Sequence, residues 1–519
     1  MNRSQALISQ MQRSNKAFLV VLLSAGILLF SLLYLKAVSP YWNITPDSAL
    51  YITAGQSIAR GGGYYLNGGR LPSVPPMTSL IFSLSILLFP GSYFALHLAV
   101  ATLTLASLLL AFVLFKYDLN GYQPLVLVLM SLGSTTLFLH STFLLSDIVY
   151  LFFSLLALTV IELPSRQAKS WPLEILIGML ILAACMTRIV GVALVAAVIV
   201  SILISWIAQR ATPSAVLVAM LLAVMGFVGF WEYHNKLYGV SNFQLFLQNE
   251  PWVEEAGYMS PAELITRFFQ NLDRSEEIAR IFSNGIVEHS KLVAALLAPL
   301  GIFFFLTGLL IALKKPRRVA AIYTVIYLWV ITVFETDEVR RYLIPILPFL
   351  FYYSFLGIEF VKDKIKAFAS PAIPRIISAA LACYIVAYLC FGLVGIMRSI
   401  PAQRESPFGA YSIKYGENYD TQRLAMWLKD HSKTGDSYLA QHADMMNIIT
   451  QRNGYNFPLS SNPKELLDLL RNKKIRYVLA DKKKPEVQKY LLPVIVAHPD
   501  KFNLVKDERD ASVYLVSLQ

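Results

Sequence analysis

Two carboxylates and a handful of arginines carry most of the chemistry this sequence offers, and each lies beside a long apolar run. Asp47 opens the stretch TPDSALYITAGQSIARGGGYYLNGGRLPSVPPMT, residues 45–78, directly after the first apolar run. Asp147 sits in FLLSDIVYLFF, Arg188 in CMTRIVG, and Arg340 and Arg341 in ETDEVRRYLIPILP. Arg70 belongs to the glycine-rich part of the first stretch. A carboxylate can take a proton from a hydroxyl, and a guanidinium can hold a phosphate through paired hydrogen bonds. Each residue also has a plainer reading. Asp47 can be a helix-start aspartate stabilised by the dipole. Arg188 can mark a membrane interface by snorkelling. The acids and bases of 335–341 can pair with one another for little energy. Asp147 can simply hydrogen-bond neighbouring helices, but that reading is weaker here, because an ionisable residue embedded in an apolar span is a functional candidate by default.

The elements that must position these residues follow from local signals. Thr45 can cap a helix, Pro46 suits its first position, and Asp47 falls in its first turn. Gly61 to Gly63 end the helix after Arg60. Leu50, Ala54 and Ile58 recur every four residues, which predicts an amphipathic helix lying on a membrane surface. Pro75-Pro76 then leads into 77–89, apolar but too short to span a bilayer.

The whole chain fits a membrane setting. It has 519 residues, is 56% hydrophobic and only 15% charged, with mean hydropathy +0.54; an ordinary soluble protein is neither so apolar nor so sparsely charged. Apolar runs at 17–38, 93–115, 124–140, 143–162, 173–188, 189–208, 212–232, 291–313, 318–334, 342–360 and 376–397 predict about eleven spans. The formal charge of +12 does not call for nucleic acid. Much of the Lys and Arg, including KKPRR at 314–318 and KDKIK at 362–366, falls in alternate short loops, as the positive-inside rule requires with the N-terminus in the cytoplasm. That topology puts 39–92, 233–290 and everything after about 398 outside. It also gathers Asp47, Tyr64, Asp147, Arg188, Glu335, Asp337, Glu338, Arg340, Arg341 and Tyr342 at the outer face. A charge at mid-bilayer costs about 2.5–3.5 kcal/mol on insertion scales, so one-sided clustering points to a polar cavity opening outward.

The fold class predicted is mainly α: a polytopic helical bundle, residues 1–397, followed by a small extracytoplasmic α/β domain, residues 398–519. In that tail, apolar runs shorten to strand length. SYLAQ (437–441), IRYVLAD (475–481) and VYLVSL (513–518) read as strands, and 418–431, 463–473 and 485–493 as helices. No metal-ligand spacing, P-loop or dinucleotide pattern appears, so no metal or organic cofactor is assigned. The three cysteines, Cys185, Cys383 and Cys390, lie within apolar runs and give no disulfide framework.

PDSALYITAGQSIARGGGY followed by VPPMTSLIFSLSILLFPGSYFALHLAV resembles the first outer loop of GT-C glycosyltransferases. The group it resembles is that of protein O-mannosyltransferases and the lipid A aminoarabinose transferase, glycosyltransferase family 39-like. LLSDIVYLFFSLLAL, LAACMTRIVGVAL and DEVRRYLIPILPF fit the same pattern, and the tail is similar to the extracytoplasmic domain of many bacterial members. The resemblance implies an inner-membrane enzyme that moves a sugar from a polyprenyl-phosphate donor to a lipid, glycan or protein acceptor, inverting, with Asp47 as general base. The second carboxylate would be Asp147. The phosphate partner stays open among Arg70, Arg188, Arg340 and Arg341. Two departures stand out: Ser48 replaces the Glu of an Asp-Glu pair, and Val74 stands where some relatives carry a phosphate-binding Lys. The rival reading is a transporter or flippase of a lipid-linked or small polar substrate.

Overall fold

In the computed structural model the residues described are 3–517, apart from 67–73, 163–169, 210–211, 238–240, 250–256, 272–274, 285–290, 316–317, 335–337, 369, 371 and 413–418. The chain begins with α1 (Arg3–Lys36), then a two-residue strand β1 (Trp42–Asn43), α2 (Pro46–Ala59), α3 (Met77–Leu88) and α4 (Tyr93–Phe115). The bundle continues with α5 (Gln123–Gly133), α6 (Thr135–Ser141), α7 (Ser146–Glu162), α8 (Trp171–Thr187), α9 (Val192–Gln209) and α10 (Ala215–Leu237). Short helices α11 (Asn242–Leu247), α12 (Pro261–Asn271) and α13 (Ser275–Ser283) follow. The bundle closes with α14 (Lys291–Leu313), α15 (Val319–Val333), α16 (Val339–Leu343), α17 (Leu347–Phe368) and α18 (Ala372–Arg404). Every apolar run predicted to span coincides with one or two of these helices. Among the described residues, six stretches are long and apolar enough to cross a membrane by themselves, and the α5–α6 pair, bent by 61°, makes a seventh. The chain is thus a multi-pass membrane protein.

Packing is set by a few close crossings. The tightest joins α14 to α17, where Gly308 and Gly357 face each other. A Cβ on Gly308 would lie 1.8 Å from the Tyr353 carbonyl oxygen, and one on Gly357 would lie 2.0 Å from that of Phe304. Small residues permit such backbone contact where lipid supplies no hydrophobic drive to associate. Helix α4 lies along α7, α8 packs between α7 and α10, and α9 packs on α15.

The tail comprises β2 (Tyr411–Ser412), α19 (Tyr419–His431), β3 (Ser437–Ala440), α20 (Ala443–Thr450), β4 (Asn453–Asn456), α21 (Pro463–Asn472), β5 (Ile475–Asp481), α22 (Leu492–Ala497), β6 (Phe502–Asp507) and β7 (Ala511–Val516). Its five-stranded sheet has the order β4-β3-β5-β7-β6. Strand β3 runs parallel to both β4 and β5, and β7 is antiparallel to β5 and β6. Successive side chains alternate between faces. Tyr438 and Ala440 join the core shared with the membrane bundle, whereas Leu439 joins an outer core with Leu466, Leu470 and Val487.

Two joints lock the tail to the bundle. Strand β1 pairs in parallel with β2, Trp42 opposite Tyr411 and Asn43 opposite Ser412. Asn43 is fully buried; its amide donates to the Thr142 carbonyl at 2.7 Å and to Gln403 Oε1 at 3.1 Å, and its Oδ1 accepts from Ser412 Oγ at 2.6 Å. The second joint is the packing of α20 on α2.

That second joint corrects the expectation of a surface-lying amphipathic helix. The helix forms with the predicted start and cap, but its side chains from Ser48 to Gly55 are buried, except half-buried Leu50. Ile58, at the end of the expected apolar stripe, is also only half-buried. The helix is enclosed because α3 covers one side and the tail covers another. Helix α20 and strands β4 and β6 were not anticipated; NGYN and FNLVKD are too short or too polar to read as strands.

Candidate active site

Four charged side chains from four distant parts of the chain meet where the bundle faces the tail. Asp47 stands in the first turn of α2, presented by the Thr45 cap. Asp147 lies in the first turn of α7, and Arg188 directly follows the last residue of α8. Arg341 belongs to the short helix α16. Arg341 bridges the carboxylates: its Nη2 donates to Asp47 Oδ2 at 2.6 Å and its Nε to Asp147 Oδ2 at 2.8 Å. Arg188 donates through Nη1 to the other Asp147 oxygen at 2.5 Å. Asp147 is 1% exposed and Asp47 39%. The buried carboxylate is therefore engaged on both oxygens by two guanidiniums, while Asp47 keeps an open edge. A bidentate planar fork suits this task in a way a lysine point charge does not.

The surrounding side chains fix these positions. Tyr51, one turn after Asp47, donates to Ser146 Oγ at 2.9 Å, and Arg188 reaches the same hydroxyl at 3.2 Å. The Arg188 guanidinium lies 4.9 Å from the centre of the Tyr342 ring. Glu338 accepts from Arg341 Nη1 at 2.9 Å from an exposed position.

Asp47, Tyr51, Ser146, Arg188, Arg341 and Tyr342 form one wall of a cavity of about 390 Å³. Its other walls are largely apolar: Val74 and Pro75, Val190 and Val192, Phe243 and Phe246, Trp329 and Phe334. The site thus places two guanidiniums and a partly open carboxylate against a greasy cleft. A second cavity, about 320 Å³, surrounds Glu174 and Ser214 at the opposite end of α8.

The remaining candidates divide cleanly. Arg340, next to Arg341, points away and pairs with Glu277 at 2.6 Å on a half-exposed surface. Tyr64 donates to the Val74 carbonyl at 2.6 Å and so braces the proline segment from behind. Arg70, Glu335 and Asp337 lie outside the described residues. Ser48 is fully buried and structural: its hydroxyl accepts from Trp42 Nε1 at 2.8 Å and from the Thr45 amide at 3.1 Å, and donates to the Thr45 carbonyl at 2.8 Å. Among the described residues, no group of three or more metal-ligating side chains comes together.

The sequence reading missed Tyr51, Ser146 and the apolar lining from α11 and α15. Tyr51 was findable, since i,i+4 neighbours share a helix face with Asp47. It also missed the tail's contribution. His442, between β3 and α20, senses the charge of Asp47; burial and Lys484 push its imidazole below the ordinary histidine value, while Glu486 and Asp47 pull the other way.

The architecture is that of the GT-C fold. No protein-family model and no curated protein matches the sequence, so the likeness is found among solved structures alone. One is ArnT from Cupriavidus metallidurans bound to undecaprenyl phosphate, TM-score 0.61 at 12% identity, covering 96% of this chain and 99% of that one. Another is the archaeal oligosaccharyltransferase AglB from Archaeoglobus fulgidus in complex with an inhibitory peptide and a dolichol-phosphate, TM-score 0.57 at 10% identity. It covers 94% of this chain and 73% of that one. The same archaeal enzyme tethered to an acceptor peptide superposes with TM-score 0.57 at 11% identity, covering 96% and 74%.

Proposed function

We propose that the chain is a membrane glycosyltransferase that moves a sugar from a polyprenyl-phosphate carrier to an acceptor hydroxyl at the extracytoplasmic face. The observation that carries this reading is the two-sided cavity: two guanidiniums and a carboxylate on one wall, apolar side chains on the others. A polyprenyl tail suits the apolar walls and a phosphodiester suits Arg188 and Arg341. The undecaprenyl phosphate and dolichol-phosphate of the structural neighbours support such a carrier.

The chemistry is a single displacement. The acceptor oxygen forms a bond to the anomeric carbon as the bond from that carbon to the phosphate oxygen breaks. The electron pair leaves with the polyprenyl phosphate, whose new charge is met by Arg188 and Arg341. The hydroxyl proton goes to Asp47. One displacement inverts the anomeric centre. A phosphate is already a good leaving group, so the reaction needs no second carboxylate as acid, unlike glycoside hydrolysis. Asp147, saturated by two arginines, acts as a positioning residue. Arg341 pairs with Asp47; a donor phosphate competes for that guanidinium and releases the carboxylate for its role as base. The N-terminus lies in the cytoplasm, the tail outside, and the membrane is the inner one, in keeping with the loop charges.

The test uses purified protein and Asp47→Asn in nanodiscs with a panel of polyprenyl-phosphate hexoses and pentoses and, as acceptors, a panel of glycosides, glycolipids and hydroxyl-bearing peptides, following polyprenyl phosphate release by mass spectrometry. The expected result is turnover by the wild type, reduced at least about a thousandfold in the variant. Equal turnover by both removes Asp47 from the role of base. Failure of the wild type on every donor overturns the enzyme reading and favours transport.

A further inference from the structure

The second cavity, about 320 Å³, holds a buried carboxylate with no cation beside it among the described residues. It lies between the last turn of α7, the first turns of α8, α10 and α15, and the final turns of α9. Arg188 stands at the other end of α8, about 20 Å along the helix axis, so this cavity is separate from the one that holds Asp47. Glu174 is only 7% exposed. Its Oε2 accepts from the Ser214 hydroxyl, and its Oε1 accepts no hydrogen bond from a described residue. A carboxylate taken out of water is costly unless a counter-charge or further donors meet it. Asp147, equally buried, has two guanidiniums for that purpose; Glu174 has one hydroxyl.

The rest of the lining defines what would complete it. Ser205 Oγ donates to the Ser201 carbonyl at 2.8 Å, and Ser214 Oγ donates to Glu174. Both hydroxyls have spent their protons and present lone pairs to the cavity. The polar side is therefore an acceptor set around one negative charge, which suits a ligand that only donates. The remaining walls are apolar, among them Leu173, Ile177, Ile202, Leu217 and Val319. Ser170, Thr212 and Pro213 are exposed and form the mouth. Trp171, next to Ser170, and Trp206, next to Ser205, are exposed too. Exposed tryptophans concentrate where hydrocarbon meets head groups, which sets the mouth at the level of lipid head groups. The flanks of the same helices, Leu176 and Met179 on α8 and Leu203 and Ile207 on α9, are exposed and apolar, as a surface against acyl chains must be.

We propose that this cavity binds the primary ammonium head group of a membrane phospholipid, with Glu174 as its counter-charge and Ser205 and Ser214 as further acceptors. A primary ammonium carries three donors and no acceptor, which matches the lining. A trimethylated ammonium has no N–H to offer, and an anionic head group would face Glu174 unpaired. A hard divalent cation needs more oxygen ligands than one carboxylate supplies, and no group of three metal-ligating side chains comes together among the described residues. The cavity takes the head group and leaves the acyl chains along α8 and α9. Loop charges assign this end of the bundle to the cytoplasm, so the lipid comes from the inner leaflet. Its ammonium would hold the starts of α8 and α10 against the end of α9. The site is independent of the glycosyltransferase reading, since it shares no residue with the cavity at Asp47.

The experiment measures lipid retention by the full-length protein with native mass spectrometry. The probes are phosphatidylethanolamine, its N-methylated forms up to phosphatidylcholine, phosphatidylglycerol and free ethanolamine. The variants are Glu174→Gln, which keeps the shape and still accepts from Ser214, and Asp363→Asn, an exposed carboxylate on α17, as a control. The wild type should hold phosphatidylethanolamine roughly tenfold more tightly than phosphatidylcholine or phosphatidylglycerol, the worth of one charged hydrogen bond, with affinity falling at each methylation. The control should keep that preference and Glu174→Gln should lose it. Thermal unfolding of the wild type across the methylation series gives a second reading that needs no variant, and the transition should fall in the same order. Equal retention of all the lipids by the wild type, or an undiminished preference in Glu174→Gln, overturns the site and marks Glu174 as a protonated residue that needs no counter-charge. Free ethanolamine binding as tightly as the lipid overturns the assignment to a membrane lipid.

Discussion

Arg340 and Arg341 are adjacent, chemically identical and opposite in consequence, which makes them the sharpest test of the site. The Arg341 side chain is 11% exposed and joins Asp47 and Asp147 at 2.6 and 2.8 Å through different nitrogens. Lysine at this position keeps the charge but not the fork, so its ammonium satisfies one carboxylate or one phosphate oxygen where the guanidinium satisfied two. One charged hydrogen bond in such a place is worth about 1.5–3 kcal/mol, or about 10- to 150-fold in kcat/KM for the donor. Arg340, half exposed, pairs among the described residues with Glu277. An exposed pair of this kind contributes about 0–1 kcal/mol, so Arg340→Ala stays within about fivefold of wild type. Both variants and the wild type would be compared in nanodiscs by polyprenyl phosphate release over a range of donor concentrations, with thermal unfolding as the check on folding. Arg341→Lys within twofold of wild type, or Arg340→Ala as damaged as Arg341→Lys, would refute the assignment of the donor phosphate to Arg341.

Asp147→Asn leaves two buried guanidiniums without their shared counter-charge; breaking such a network costs about 3–5 kcal/mol, seen as a lowered unfolding temperature even without substrate. An unchanged transition would mean that water or lipid already compensates those arginines. Ser48→Glu, which restores the acidic pair of the resembled family, buries a carboxylate where three hydrogen bonds are now made. We expect poor expression or a transition lowered by several degrees rather than a gain in activity. His442 makes stability pH-dependent. Its folded-state value is depressed, so the unfolded chain takes the proton first as pH falls below about 6.5. The stability present above that pH is lost as acid rises toward the folded value. His442→Gln should flatten that part of the unfolding-temperature profile between pH 7.5 and 5.5, with Lys484, Glu486, Asp47 and Asp444 the neighbouring charges; parallel profiles would exclude it.

The sequence made the helices legible because hydrophobic length and caps are local signals, and the start of α2 was readable from Thr45, Pro46 and Asp47. Collecting Asp47, Asp147, Arg188 and Arg341 on one face was also possible, since span alternation alone sorts residues by side. What it could not supply was partnership. Nothing local distinguishes Arg341 from Arg340, because a one-residue step on a short helix turns a side chain by about 100°. The enclosure of α2 was equally invisible: its cover is α20, whose eight residues follow by hundreds in the chain and whose contact is tertiary. The tail strands β4 and β6 are too short or too polar for their alternation to stand out, and only pairing with β3 and β7 makes them strands.

The pairing of Trp42–Asn43 with Tyr411–Ser412 also dictates an order of assembly. Asn43 and Ser412 are separated by 369 residues. At about 5–20 residues per second, roughly 20–75 s pass between synthesis of the first strand and arrival of the second. Throughout that interval Asp47 sits on a helix whose cover from the tail has not been made, and Arg188 and then Arg341 are delivered part-way through it. A ribosome that stalls or a chain that is clipped before residue 411 therefore leaves a membrane-inserted bundle without its closing strand. Closure of the cluster around Asp47 therefore waits for Tyr411–Ser412 and the tail that follows them.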